Sequence, residues 1–179
     1  MSVGRILPRP INSKRGLFRA AVCALLGALL VSCGEVSEEQ QLIDRFKHLA
    51  GLAEDKDTAG IMAALRQDYS DFEGRDKAAT EEMIRGYFET YRGIVLSVLG
   101  VRVTDLRPPE ATMDAEVAFS SGPAQALRRL IRIGGECYRI NIRWVKENEA
   151  WMAACAEWRP VDIGDLFPES REKLKTIID

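Results

Sequence analysis

Every second residue from Tyr138 to Trp144 is apolar (Tyr138, Ile140, Ile142, Trp144), and the intervening Arg139, Asn141 and Arg143 are polar. A strand turns successive side chains to opposite faces, so this alternation predicts a strand with one buried and one wet face. Glu147-Asn148 follows as a two-residue turn, and an apolar-rich run returns through Trp151 to Trp158. Pairing symmetrically about that turn sets Trp144 against Trp151, Ile140 against Cys155 and Tyr138 against Glu157. A hairpin of this kind cannot stand alone. Its apolar face needs a second layer, which the rest of the chain must supply.

The preceding sequence supplies helices and then more strands. Ser37-Glu-Glu-Gln40 has the spacing of a capping box. It opens a helix with Leu42, Ile43, Phe46, Leu49, Ala50 and Ala53 on one face. Asp57 caps a shorter helix holding Ile61, Met62 and Leu65. Asp76 caps a third, with Thr80, Met83, Ile84, Tyr87, Phe88 and Tyr91 inward. After Gly93 the period changes to that of a strand over Ile94 to Leu106, with Gly100 at a bulge or bend and Pro108-Pro109 as the break. Met113, Ala115, Val117 and Phe119 then alternate with Asp114, Glu116 and Ala118. Gly122-Pro123 opens a segment, Ala124 to Ile133, that fits a helical turn or a ragged strand equally. Helices followed by about four antiparallel strands predict an α+β fold, with the N-terminal helices packed on a curved antiparallel sheet.

The first 32 residues read differently. They hold five of the 25 basic side chains and none of the 27 acidic ones, so the remainder carries a net charge of −7. That balance argues against a nucleic-acid partner, whose binding rests on a basic surface. Ala20 to Val31 is a run of twelve apolar residues. It is too short for a membrane-spanning helix and of the right length for a secretory signal core. Leu30-Val31-Ser32-Cys33 resembles the lipobox of bacterial lipoproteins. That resemblance implies cleavage before Cys33, lipid on its sulfur, and acylation of the new amino group; two or more acyl chains suffice for stable anchoring. Gly34 in place of aspartate implies sorting to the outer membrane, facing the periplasm. Ser13-Lys14-Arg15-Gly16-Leu17-Phe18 resembles a twin-arginine signal without its first arginine, so the general secretory route is expected. The organisation follows: signal peptide 1–32, lipidated tether 33–36, one domain 37–160, and a C-terminal extension 161–179 with a short amphipathic helix.

Gln67-Asp-Tyr-Ser-Asp-Phe-Glu-Gly-Arg-Asp76, with Tyr138 to Lys146 and Glu149 to Trp158, resembles the nuclear transport factor 2-like superfamily over residues 38–160. The resemblance implies a cone, a bent sheet around a long helix with a pocket at its open end. Isomerases, dehydratases, cyclases and non-catalytic binding modules all share that fold, so function has to be read from the site.

His48 falls on the side of the first helix away from its apolar stripe and should be solvated, which removes histidine-based catalysis. One histidine and four scattered cysteines leave little material for a zinc site, and neither a metal nor a cofactor is expected. The expected register puts Cys137 and Cys155 on opposite faces as free thiols in packing roles. It puts Glu157 inward beside Tyr138, with Tyr87 and Tyr91 on the facing helix. This is the one acid–base constellation in the sequence, though it lacks a second polar group to hold an oxyanion. Tyr69 reads as a core aromatic. Arg128, Arg129, Arg132, Arg139 and Arg143 form a basic run; the last two face outward, where Asp114 and Glu116 can pair with them. The expected function is therefore a lipid-anchored, non-catalytic envelope protein. It would bind a small apolar ligand or a protein partner through a pocket lined by Tyr87, Tyr91, Tyr138, Trp144, Trp151 and Glu157. An isomerase or dehydratase using Glu157 and Tyr138 is the alternative, and a scaffold with a filled cone the third reading. A homodimer is compatible with the tail helix, which is expected to cover one end of the cone or a neighbouring subunit.

Overall fold

The computed structural model describes residues 36–121 and 136–178. Three helices come first: α1 (Glu38–Glu54), α2 (Thr58–Ala63) and α3 (Lys77–Thr90), with strand β1 (Leu65–Asp71) between the last two. Each starts where an acceptor side chain meets an orphan N–H. Ser37 accepts from Gln40 at 3.2 Å, Asp57 from Gly60 at 2.9 Å and Asp76 from Ala79 at 2.8 Å. Strands β2 (Ile94–Arg107), β3 (Glu110–Ser121), β4 (Glu136–Glu147) and β5 (Ala150–Val161) follow. A single 3-10 turn at Ile163–Asp165 then leads into α4 (Pro168–Ile178).

The five strands form one sheet in the order β1-β5-β4-β3-β2. It is an α+β fold with one strand more than the sequence reading. Leu65 opens β1 instead of closing α2, and β1 runs parallel to β5 while all other pairs are antiparallel. The inner face packs on α1 and α2 through a core that includes Leu42, Phe46, Met113, Val117, Trp144 and Trp151. On the outer face Leu99, Ala118 and Cys137 pack under Leu166 and Leu174. The tail helix therefore lies on the back of the sheet, not at the end of the cone.

The β4–β5 register departs from expectation, with consequences for the site. The turn is Asn148-Glu149, at φ 48° and 66°, and it pairs Glu147 with Ala150. Two left-handed central residues match the twist of a tight hairpin. Trp144 therefore faces Ala153, and Trp151 faces Lys146. A bulge then leaves Ala154 unpaired, since Arg143 faces Cys155, so the following residues of β5 change face. Glu157 ends opposite Asn141 and exposed, and Tyr138 opposite Pro160. Cys155, opposite Arg143, shares the outer face with Cys137, which lies opposite Val161. Six residues of strand, roughly 20 Å, separate the two positions. Both are free, Cys137 buried and Cys155 partly so.

Candidate functional site

The end of α3 and the starts of β2 and β4 meet where β3 ends, and aromatic side chains gather there. Tyr87 and Tyr91 are one helical turn apart and stack nearly parallel, with centroids 6.1 Å apart and planes at 10°. Tyr91 meets Phe119 edge to face at 5.6 Å. Both arrangements suit ring quadrupoles. Tyr87 remains 53% exposed, so the cluster has an open side.

The cluster is held from α1 and its exit. α3 has no basic residue in its last turn. Lys56, left-handed at φ 57°, instead sends its ammonium to the carbonyls of Phe88 at 2.6 Å and Tyr91 at 2.5 Å. A cation there satisfies the orphan carbonyls and the negative end of the helix dipole. The Glu54 carboxylate accepts from the Leu96 N–H at 2.7 Å, tying the start of β2 to the end of α1.

Tyr138 faces this cluster from β4. Its hydroxyl donates to Glu136 at 2.5 Å, so Glu136 is the carboxylate beside Tyr138 and Glu157 is not. That bond first, then burial, pushes the Tyr138 pKa up to about 12. The phenol stays protonated at neutral pH and acts as a hydrogen-bond donor. One same-face position further in, Trp158 stands opposite Ile140 and meets Phe72 edge to face at 4.8 Å. The Arg75 guanidinium lies 5.6 Å over the Trp158 ring and is fixed at 2.6 Å by the buried Asp71 carboxylate. Sequence reading missed Glu136, Phe72 and Trp158 as site residues. The alternation in β4 does place Glu136 on the face of Tyr138, but Phe72 follows a strand that was not anticipated.

Of the expected pocket wall, Tyr87, Tyr91 and Tyr138 come together and the rest does not. Trp144 is fully buried. It lies six residues, roughly 20 Å of strand, from Tyr138. Trp151, also buried, donates from Nε1 to Glu38 at 2.9 Å, and Lys146 donates to the other oxygen at 2.6 Å. The Lys146 hydrogen bond leads in drawing the Glu38 pKa below its usual value. Trp151 and Lys146 thus anchor the start of α1 through Glu38, while Trp144 is a core side chain.

Outside the cluster, His48 is exposed and Tyr69 is buried, its pKa raised to about 12 chiefly by that burial. Arg139 pairs with Glu116 directly across β4 and β3, as the outward register predicts. Cys33, Arg128, Arg129 and Arg132, with the whole Ala124–Ile133 segment, lie outside the described residues. Among the described residues no group of three or more His, Cys, Asp or Glu is placed to hold a metal ion, and no helix is long and apolar enough to cross a membrane.

No protein-family profile matches the sequence, and no curated protein is significantly similar to it. Solved structures do match. A Novosphingobium aromaticivorans protein provisionally named a scytalone dehydratase superposes with TM-score 0.58 at 12% identity, over 69% of this chain and 83% of its own. A nuclear transport factor 2-like protein of unknown function from Pseudomonas aeruginosa gives 0.56 at 16%, over 68% and 99%. Bd1075 of Bdellovibrio bacteriovorus gives 0.56 at 11%, over 69% of this chain, which spans 41% of that protein. The chain has the nuclear transport factor 2-like, cystatin-like fold.

Proposed function

We propose that this chain is a lipid-anchored, non-catalytic binding module of the bacterial envelope, and that its ligand is a small apolar molecule held at the Tyr87–Tyr91–Phe119–Tyr138 cluster. The observation that carries the reading is the open, stacked aromatic pair on α3 facing a phenol that is already hydrogen-bonded. Rigid rings offer large apolar contact at small entropic cost, and Tyr138 supplies one polar contact for orientation. The expected acid–base pair is divided between two faces of the sheet, so the geometry favours binding over proton transfer through Glu157. The lipobox supports anchoring through Cys33, and Gly34 supports the outer membrane, facing the periplasm. The dehydratase name of one structural neighbour belongs to that protein.

Native mass spectrometry of the full chain, purified in mild detergent from its own host, tests the reading. A small molecule retained by the wild type and lost on Tyr91→Ala supports it. A substrate turned over by the wild type overturns the non-catalytic part. Retention of the same molecule by a folded Tyr91→Ala variant overturns the location.

A further inference from the structure

At one level of the sheet Leu96, Phe119 and Glu136 stand side by side on β2, β3 and β4. Directly opposed residues share a face, so a carboxylate takes its place in an otherwise apolar row. Glu136 is exposed, and its hydrogen bond comes from a neutral phenol, Tyr138, at 2.5 Å. None of the ion pairs among the described residues includes it. The other charges nearby cancel. Glu54 is used on the Leu96 N–H, and Lys56 on the carbonyls of Phe88 and Tyr91. Glu89 and Arg92, both exposed beside Tyr91 in the chain, offset each other likewise. Among the described residues, Glu136 is thus the uncompensated charge of the cluster.

The walls around it are aromatic. Tyr87 stacks on Tyr91, and Tyr91 meets Phe119, the residue directly across from Glu136. After its bond to Glu136 and its burial, the Tyr138 phenol also feels Tyr87 and Tyr91, so three phenol groups lie near one carboxylate. A wholly apolar ligand would cover that charge and offer it nothing, at a cost in desolvation. A small hard cation would need several oxygen ligands and few rings. An alkylated ammonium group suits both parts: its charge is spread over methyl groups that need no hydrogen bonds, and ring faces and a carboxylate both attract it. Resting on the binding-module reading above, we propose that the ligand of this cluster carries an alkylated ammonium group, packed on Tyr87, Tyr91 and Tyr138 with Glu136 as its counter-ion.

Choline and 3,3-dimethylbutanol have the same shape and differ in having a charged nitrogen or a neutral carbon at the centre. Each is titrated into the full chain in a non-ionic detergent, with protein nuclear magnetic resonance reading both binding and fold. Choline should bind at least about tenfold more tightly than the alcohol. Glu136→Gln, at an exposed position, should shrink that preference by about fivefold or more, and Tyr87→Ala/Tyr91→Ala should weaken choline binding. Dihexanoylphosphatidylcholine, kept below its micelle-forming concentration, distinguishes a lipid headgroup from a free cation; preferential binding of either over the alcohol supports the site. If the alcohol binds as tightly as both cationic probes, the charge preference is overturned while the apolar-ligand reading stands. If neither cationic probe binds a chain that takes up a neutral apolar fluorophore, the result is the same. A chain that binds none of these probes overturns both readings. A preference undiminished in folded Glu136→Gln removes Glu136 as counter-ion and overturns the proposal.

Discussion

Glu116 on β3 and Arg139 on β4 stand directly opposite each other, with the carboxylate wholly buried and the guanidinium donating to it from Nε at 2.9 Å and Nη2 at 2.5 Å. The second carboxylate oxygen accepts the Phe167 N–H at 2.8 Å, at the entry to α4. Arg139 also donates to the Asp165 carbonyl at 2.6 Å, and the Phe167 ring lies against both Arg102 and Arg139, at 3.8 and 4.7 Å. One buried anion thus fixes the tail to the back of the sheet.

Glu116→Ala leaves Arg139 and the Phe167 amide without that acceptor. Breaking a buried pair from one side costs about 3–5 kcal/mol, and chemical denaturation should show a loss of that order. Cys137 lies under α4, its pKa raised mainly by burial. The variant should therefore also alkylate faster at Cys137 under native conditions. Unchanged stability and labelling would refute the role of Glu116 in holding the tail.

Gly100→Ala is predicted to loosen the same contact from the other side. A Cβ at position 100 would stand 2.4 Å from Ser170 Oγ, and Ser170 is fully buried with no hydrogen-bond partner for that hydroxyl. Overpacking of this kind costs about 1–3 kcal/mol. Ser170→Ala removes the atom in the way and should recover much of the loss. A double-mutant cycle with no coupling between the two positions would contradict the contact.

The helices were legible because their starts are local: Ser37, Asp57 and Asp76 each cap the turn that follows, and no distant residue is needed to see it. The inner and outer faces of β3 were legible from its alternation, and so was the outward placing of Glu116 and Arg139; which acid meets which arginine follows from the β3–β4 register, which has no local marker. The position of Glu157 was not. It depends on a turn displaced to Asn148-Glu149 and on the bulge at Ala154, and neither has a strong local marker. Glutamate is not a residue that announces a left-handed position. The parallel strand β1 was missed for a related reason, since seven residues without clear alternation are defined by pairing to β5.

Tyr69 and Tyr138 should ionise late. Their pKa values are raised from 10 to about 12, for Tyr69 chiefly by burial and for Tyr138 chiefly by the bond to Glu136. The folded chain therefore binds more protons than the unfolded chain between these values. The stability these two phenols contribute is intact below pH 10 and is lost as pH rises toward 12. Ultraviolet titration of Tyr69→Phe and Tyr138→Phe checks this, each losing one late-ionising phenol. Two variants that titrate like the wild type would contradict the shifts.

Cys33→Ser should block lipid attachment and cleavage at that site, leaving precursor or a differently cut form. Labelling with a fatty-acid analogue, followed by detergent phase partitioning, reads both. A variant that still takes the label removes the lipobox assignment.

The aromatic cluster is tested most directly by titrating the full chain with a neutral apolar fluorophore, N-phenyl-1-naphthylamine, and repeating the titration with Tyr87→Ala/Tyr91→Ala. These rings pack at the exposed end of α3 and leave the main core of Leu42, Met113 and Trp144 intact, so the variant should remain folded. The wild type should bind saturably and the variant at least about tenfold more weakly, in line with the loss of two aromatic contacts. A wild type that does not bind, or a folded variant that binds equally well, would contradict the assignment of the cluster as the ligand site.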